Sequence, residues 1–181
     1  VDDTWTFGVL PNGLRYAVKK NDVPAGQVSI RVRIDAGALH ENNDEQGFAH
    51  LIEHLSFRGS TFVPDGEAKR IWQRFGVTFG SDSNAQTTPT QTVYKLDLPN
   101  ATPEKLDESV KIISGMIRNP RISPSALNAE RAIVLAELRE NSGAQMVYSD
   151  ALRQHAFQGQ RLANRSTIGT PETLQAADAL R

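Results

Sequence analysis

The chain has no cysteine among its 181 residues. Disulfides, thiolate zinc sites and cysteine nucleophiles are therefore excluded. An excess of one charge is also missing: 20 Lys and Arg stand against 21 Asp and Glu, a formal net charge of −1. This balance gives no electrostatic reason to bind nucleic acid or an anionic membrane. No apolar run approaches the roughly 20 residues that cross a bilayer as a helix. Internal repeats and low-complexity tracts are absent too. What remains is an ordinary globular composition, 39% hydrophobic and 23% charged, on a chain long enough for one sizeable domain.

Hydrophobic periodicity sets the expected architecture. Over 28–36, Val28, Ile30, Val32 and Ile34 share one face, and Ser29, Arg31, Arg33 and Asp35 share the other. A period of two predicts a strand with one wet face. Residues 91–98 alternate likewise, with Tyr94, Leu96 and Leu98 on one side. "WTFGVL" and "LRYAVKK" flank Pro11-Asn12-Gly13, which predicts a hairpin. Helices are predicted over about 44–57, over "PDGEAKRIWQRFG" with Gly76 as its stop, over about 103–117, from about 123 to 141 with Pro124 as first helical residue, and over 147–157. The expected class is α+β: a mainly antiparallel sheet covered by helices on one side.

One segment, "GFAHLIEHLSFRGS", does not suit a purely structural helix. It is apolar, yet carries His50, Glu53 and His54. On a helix, side chains four apart project the same way, and one three apart borders them. Two imidazoles so placed can hold one metal ion, and the carboxylate can be a third ligand or a base acting on water. A solvent-facing polar stripe is the simpler reading. A chance H-x-x-E-H in such a chain has a probability of roughly one in two hundred, which favours the metal.

Zinc needs at least one more protein ligand. His40 lies in a polar loop, and His155 reads as a helix-surface residue. "ALNAERAIVLAELREN" offers more, because Glu130 and Glu137 are seven apart and so fall about 20° from each other on a helix. They flank an apolar stripe with Ile133 and Val134, where a carboxylate is solvated or paired with a cation. As a lone pair they would read as glutamates bordering the core. Beside H-x-x-E-H they become metal-ligand candidates.

With these motifs the chain resembles the M16 metallopeptidases, the family of pitrilysin, insulin-degrading enzyme and the mitochondrial processing peptidase. H-x-x-E-H is the inverted zinc motif, and "ERAIVLAELRE" resembles the family's second ligand helix. "LPNGLRYAV", "RVRIDAGALHENNDEQGFAHLIEHLSFRGS", "GSDSNAQTTPTQTVYKLDLP" and "STIGTPETLQ" resemble further family segments, so the likeness spans nearly the whole chain. Its style is nearest the PqqL-like proteases of the bacterial envelope. A lyase acting on S-ribosylhomocysteine shares the helix but needs a cysteine ligand, which this chain lacks.

The resemblance implies a zinc endopeptidase with Zn2+ held by His50, His54 and Glu137, Glu53 as general base and Glu130 as a supporting carboxylate. The count from His54 to Glu137 exceeds the commonest family spacing, which Glu130 would nearly satisfy. Glu137 is preferred because "ERAIVLAE" aligns with the family helix without a gap. Composition alone makes "FGSDSNAQT" a surface loop. The resemblance makes its Asn84 and Ala85 part of an edge strand to which peptide substrate adds. Phe57 and Phe79 are expected in the core.

The same resemblance implies a periplasmic or envelope location. It also implies that residues 1–181 are the N-terminal zinc-binding domain of a longer chain. Thr170 and Pro171 open another helix near the end, and no segment matches the arginine and tyrosine that later family domains supply. The alternative is a noncatalytic, peptide-binding partner in an M16-type assembly. Such members typically lose part of H-x-x-E-H, which is intact here. A purely structural zinc site would need a fourth protein ligand, and none stands out.

Overall fold

The structure is a computed structural model, which describes residues 3–179. Two antiparallel sheets and six α-helices make up the described part, an α+β architecture. Strands β1 (Trp5–Val9) and β2 (Arg15–Lys19) form the expected hairpin. They pair only with each other among the described residues, and Phe7, Val9 and Val18 stay exposed.

The main sheet has the order β3-β5-β4, with β3 at Val28–Ile34, β4 at Ser83–Thr87 and β5 at Thr92–Leu98. Both long strands follow the alternation of the sequence. Ile30, Val32 and Ile34 pack inward from β3, and Tyr94, Leu96 and Leu98 are buried on β5. Arg31, Lys95 and Asp97 form ion pairs on the outer face, with Arg31 Nη1 2.8 Å from Asp97 Oδ1.

Helices cover the inner face. Helix α2 (Glu67–Arg74) contributes Ala68, Ile71 and Trp72 to a core shared with β5, and α3 (Pro103–Arg118) contributes Ile112, Ile113 and Met116. A second core joins Leu51 and Leu55 of α1 (Phe48–Ser56) to Ala126, Leu127 and Val134 of α4 (Pro124–Glu140) and to Leu174 of α6 (Pro171–Ala176). Helix α5 (Ala144–Ala156) contributes no buried residue and carries His155 on its exposed surface. No described helix is long and apolar enough to cross a membrane.

Three boundaries differ from the sequence reading. The helix expected from residue 44 breaks into a 3-10 turn at Asn43–Glu45, then Gly47 at φ +91°, and only then α1. Helix α2 starts at Glu67, after Gly66 at φ +77°. Helix α5 starts at Ala144, three residues before the expected 147. Over 79–87, where composition alone suggests a loop and the family resemblance an edge strand, the segment contains β4. The residues of β4 are small and polar because the strand lies at the sheet edge, where one side of its ladder has no strand neighbour among the described residues. Phe57 and Phe79 are only partly buried and meet edge-on at 6.0 Å against the sheet core.

The entry to α1 is fixed by a close backbone crossing. A Cβ on Gly47 would sit 2.6 Å from the Ile168 carbonyl oxygen and 2.7 Å from Gly169 Cα. The positive φ of Gly47 adds left-handed strain for any other residue. Gly47→Ala should therefore destabilise the protein by about 2–3 kcal/mol, a fall in Tm of roughly 4–12 °C. Differential scanning calorimetry checks this, and an unchanged Tm would mean that the crossing relaxes at no cost.

Candidate metal centre

Helix α1 presents two faces of opposite character. Leu51 and Leu55 enter the core shared with α4, while His50, Glu53 and His54 turn toward β4 and the C-terminal half of α4. The helix N-terminus is capped from outside. Glu41 is buried, and its carboxylate accepts hydrogen bonds from the backbone N–H groups of Gly47 (3.0 Å) and Ala49 (2.8 Å). Two of the otherwise unpaired donors at the helix start are thereby satisfied, and a negative charge sits at the positive end of the dipole. The buried Arg165 secures the same loop by donating to the Asn42 carbonyl (3.0 Å) and to Asn43 Oδ1 (2.9 Å). Arg161 donates to the Glu41 carbonyl.

His50 and His54 stack edge-to-face with ring centroids 4.7 Å apart. Glu137 Oε2 lies 3.8 Å from His50 Nε2 and 3.7 Å from His54 Nε2. Among the described residues, these three form the one group whose ligand atoms all lie within 4.8 Å of one another. Ligands bound to tetrahedral zinc at about 2.0–2.1 Å stand roughly 3.3–3.4 Å apart. The two Glu137–histidine distances thus need to contract by only a few tenths of an ångström, and two nitrogens with one carboxylate suit zinc by donor type.

Glu130 holds a different position. Its Oε2 lies 3.1 Å from His54 Nδ1, and its Oε1 accepts from Arg58 Nε at 2.5 Å. A neutral His54 that donates Nδ1–H to this carboxylate has its Nε2 lone pair free on the side facing Glu137. His50 lacks such a partner, because its buried Nδ1 has no hydrogen bond.

Glu53 lies on α1 between the two histidines but outside the metal-ligand group. Its Oε2 accepts a 2.6 Å hydrogen bond from the Thr87 hydroxyl at the end of β4. Asn84 and Ala85 occupy the same edge strand. Two clefts flank Glu53. One of about 490 Å³ is bordered by His50, Ala85, Thr87, Met146 and Arg153. The other, of about 570 Å³, is bordered by His54, Phe57, Phe79, Asn84 and Ile133. A smaller apolar hollow of about 400 Å³ behind α1, beside Phe48 and Ile52, lies away from this chemistry.

A family profile described as "Insulinase (Peptidase family M16)" matches residues 16–170. The chain belongs to the M16 peptidase family. A probable zinc protease PqqL from Haemophilus influenzae is 33% identical over 180 residues, which cover 99% of this chain and 19% of that protein. The crystal structure of the periplasmic protease PqqL from Escherichia coli superimposes with a TM-score of 0.94 at 30% identity, over 99% of this chain and 20% of that one. A separate structure of the first half of that protease matches with a TM-score of 0.93 and is covered to 38%. The chain thus spans about a fifth of the length of these full-length M16 relatives.

Sequence reasoning named His50, Glu53, His54, Glu130, Glu137, Asn84 and Ala85, and all lie in or beside the His50–His54–Glu137 group and the two clefts that flank Glu53. His40 does not: its Nδ1 accepts from the Gly37 N–H at 3.1 Å, in a turn outside the group. Arg58, Thr87, Glu41 and Arg165 were missed. Only Arg58 carried a signal, because it lies four residues after His54 and so falls on the same helical side.

Charge states follow from these contacts. Burial, helped by the neighbouring His54, lowers the His50 pKa to about 4. The hydrogen bond to Glu130 raises that of His54 against its own burial. Burial pushes Glu130 up, but the His54 and Arg58 hydrogen bonds bring it below the usual value. Burial raises Glu53, with the Thr87 hydroxyl pulling the other way.

For His50 the folded value lies below the unfolded one of 6.5. Its neutral form therefore supports the metal-free fold above pH 6.5, and that support is lost as pH falls toward 4. The full difference is worth roughly 3 kcal/mol at most. His54 acts oppositely, contributing below 6.5 and losing its contribution as pH rises through its elevated folded value. Urea unfolding of metal-free protein between pH 6.5 and 4 should show a steeper loss of stability for wild type than for His50→Gln. Equal slopes would mean that the folded protein protonates His50 as readily as the unfolded chain does.

Proposed function

We propose that residues 1–181 are the N-terminal zinc-binding domain of a longer M16 protease, a zinc-dependent endopeptidase acting on oligopeptides or unfolded segments. One observation carries this reading. Three ligand atoms of zinc-compatible type converge within 4.8 Å, while the buried Glu53 carboxylate stands on the same helix without joining them. A structural metal site has no use for that additional carboxylate, whereas a hydrolytic site needs a base.

His50, His54 and Glu137 would hold the ion. Zinc supplies Lewis acidity there, making water a competent nucleophile near neutral pH and polarising the peptide carbonyl. Glu53 takes the proton from the attacking water and delivers it to the leaving amine. A carboxylate whose proton affinity is raised by burial suits both transfers. Glu130 keeps the His54 ring in one tautomer and orientation.

The peptide is proposed to pair with β4 as an extra strand, alongside Asn84 and Ala85. Support comes from the sheet order, which among the described residues leaves one side of β4 without a strand neighbour, and from the clefts on both sides of Glu53. Main-chain pairing gives affinity with little sequence preference, and clefts select alternate side chains. A periplasmic location is proposed from the likeness to periplasmic PqqL. Later domains are proposed to close over the site, excluding water and positioning the carbonyl.

One set of variants of the full-length protein tests the assignment by zinc analysis and peptide hydrolysis. His50→Ala and His54→Ala should abolish stoichiometric zinc, Glu137→Gln should weaken it strongly, and Glu130→Gln less. Glu53→Gln should keep zinc and peptide affinity while lowering turnover by about 10²–10⁴-fold. Undiminished zinc in Glu137→Gln beside a depleted Glu130→Gln would exchange the roles of the two glutamates. Wild-type turnover by Glu53→Gln would remove Glu53 as the base.

A further inference from the structure

We propose that Thr87 is the positioning residue for the general base: its hydroxyl holds one oxygen of the Glu53 carboxylate and leaves the other to take the proton from water. The inference rests on the assignment of Glu53 as base. It begins with the register of β4. Ser83, Ala85 and Thr87 share one face of the strand by its period of two, and all three are less exposed than Asn84 and Gln86 between them. Thr87 therefore turns toward α1, where its Oγ1 lies 2.6 Å from Glu53 Oε2. A slip of one residue would put Gln86 on that face instead.

That register is secured independently. Thr87 pairs with Thr92 across the ladder, and Thr92 Oγ1 donates to the Ala36 carbonyl at 3.0 Å. The strand end is thus tied to β5 and, through it, to the loop after β3. An ionised carboxylate only accepts, so the Thr87 hydroxyl must be the donor. Hydrogen bonds of this charge-assisted kind are shorter and stronger than neutral ones, and 2.6 Å lies in their range.

The direction of the bond has a chemical consequence. Glu53 has three side-chain torsions and sits on the helix turn that carries both proposed ligands. Unrestrained, its carboxylate can swing toward the cation and become a ligand, which would end its use as a base. Thr87 holds it on the β4 side. The same residue ends the strand proposed to receive the peptide, so substrate register and base position share one anchor.

The test uses the full-length zinc-loaded protein with Thr87→Val, Thr87→Ser and Glu53→Gln, singly and with Thr87→Val combined with Glu53→Gln. Thr87→Val keeps the shape of the side chain and removes the hydroxyl donor, while the Thr87 backbone N–H, which also favours the ionised Glu53, stays. It should lower kcat about 10- to 100-fold with KM, zinc content and Tm little changed. Thr87→Ser should recover kcat to within a few-fold of wild type. Thr87→Val should cost nothing further in the Glu53→Gln background, because a neutral amide has no base function to orient. Crystals of zinc-loaded Thr87→Val should show the Glu53 carboxylate displaced or in more than one rotamer. Unchanged kcat, an effect confined to KM, an undiminished cost in the Glu53→Gln background, or a single unmoved Glu53 rotamer would each overturn the proposal. If Glu53→Gln alone retains wild-type turnover, the base assignment fails and this inference falls with it. If Glu53→Gln is inactive and Thr87→Val is not, only the role of Thr87 fails.

Discussion

The candidate metal centre depends on a buried carboxylate between two helices. Glu130, 7% exposed, bridges His54 Nδ1 and Arg58 Nε, both on the α1 side, from its place on α4. Removing Arg58 leaves the buried Glu130 carboxylate with the His54 ring as its remaining partner, a destabilising change for a charge held away from water. Glu130 therefore sets the register of α4 against α1. Glu137 lies about two turns further along the same helix, roughly 10 Å away, and reaches both imidazoles only in that register. A carboxylate outside the ligand group thus helps the α1–α4 core to align the group.

The same constraint explains how an apolar helix tolerates three ionisable groups. Leu51 and Leu55 anchor α1 in the second core, and Ser56 reaches across to the Tyr94 hydroxyl of β5 at 3.1 Å. The polar face is buried group by group against assigned partners: His54 on Glu130, Glu53 on Thr87, and the helix N-terminus on Glu41. His50 Nδ1 alone lacks one, and burial holds this imidazole in the neutral form that coordinates metals. Rigidity at the site comes from these pairings together with the close backbone crossing of Gly47 and Gly169, which locks the segment before α6 onto the start of α1.

Much of this was legible in the sequence because it is periodic. The alternation over 28–34 and 92–98 became β3 and β5 with the expected faces inward. The spacing of His50, Glu53 and His54 put three chemical groups on one side of a helix. The seven-residue interval between Glu130 and Glu137 likewise gave the face of α4 that meets them. Spacing could not separate the two glutamates, since both project toward α1. Their difference lies in the neighbours Arg58 and His54 Nδ1, which only tertiary packing supplies. Strand β4 escaped a composition-based reading because an edge strand need not be apolar. Thr87, Glu41 and Arg165 escaped it because each acts through one long-range hydrogen bond and leaves no pattern along the chain.

The most direct measurement is anomalous diffraction at the zinc absorption edge, from crystals of the full-length protein grown with stoichiometric zinc. The account predicts one peak bounded by His50 Nε2, His54 Nε2 and a Glu137 carboxylate oxygen at about 2.0–2.2 Å, with Glu130 still on His54 Nδ1 and Glu53 outside coordination. A peak ligated by Glu130 or Glu53 in place of Glu137, or one located away from α1, would contradict it.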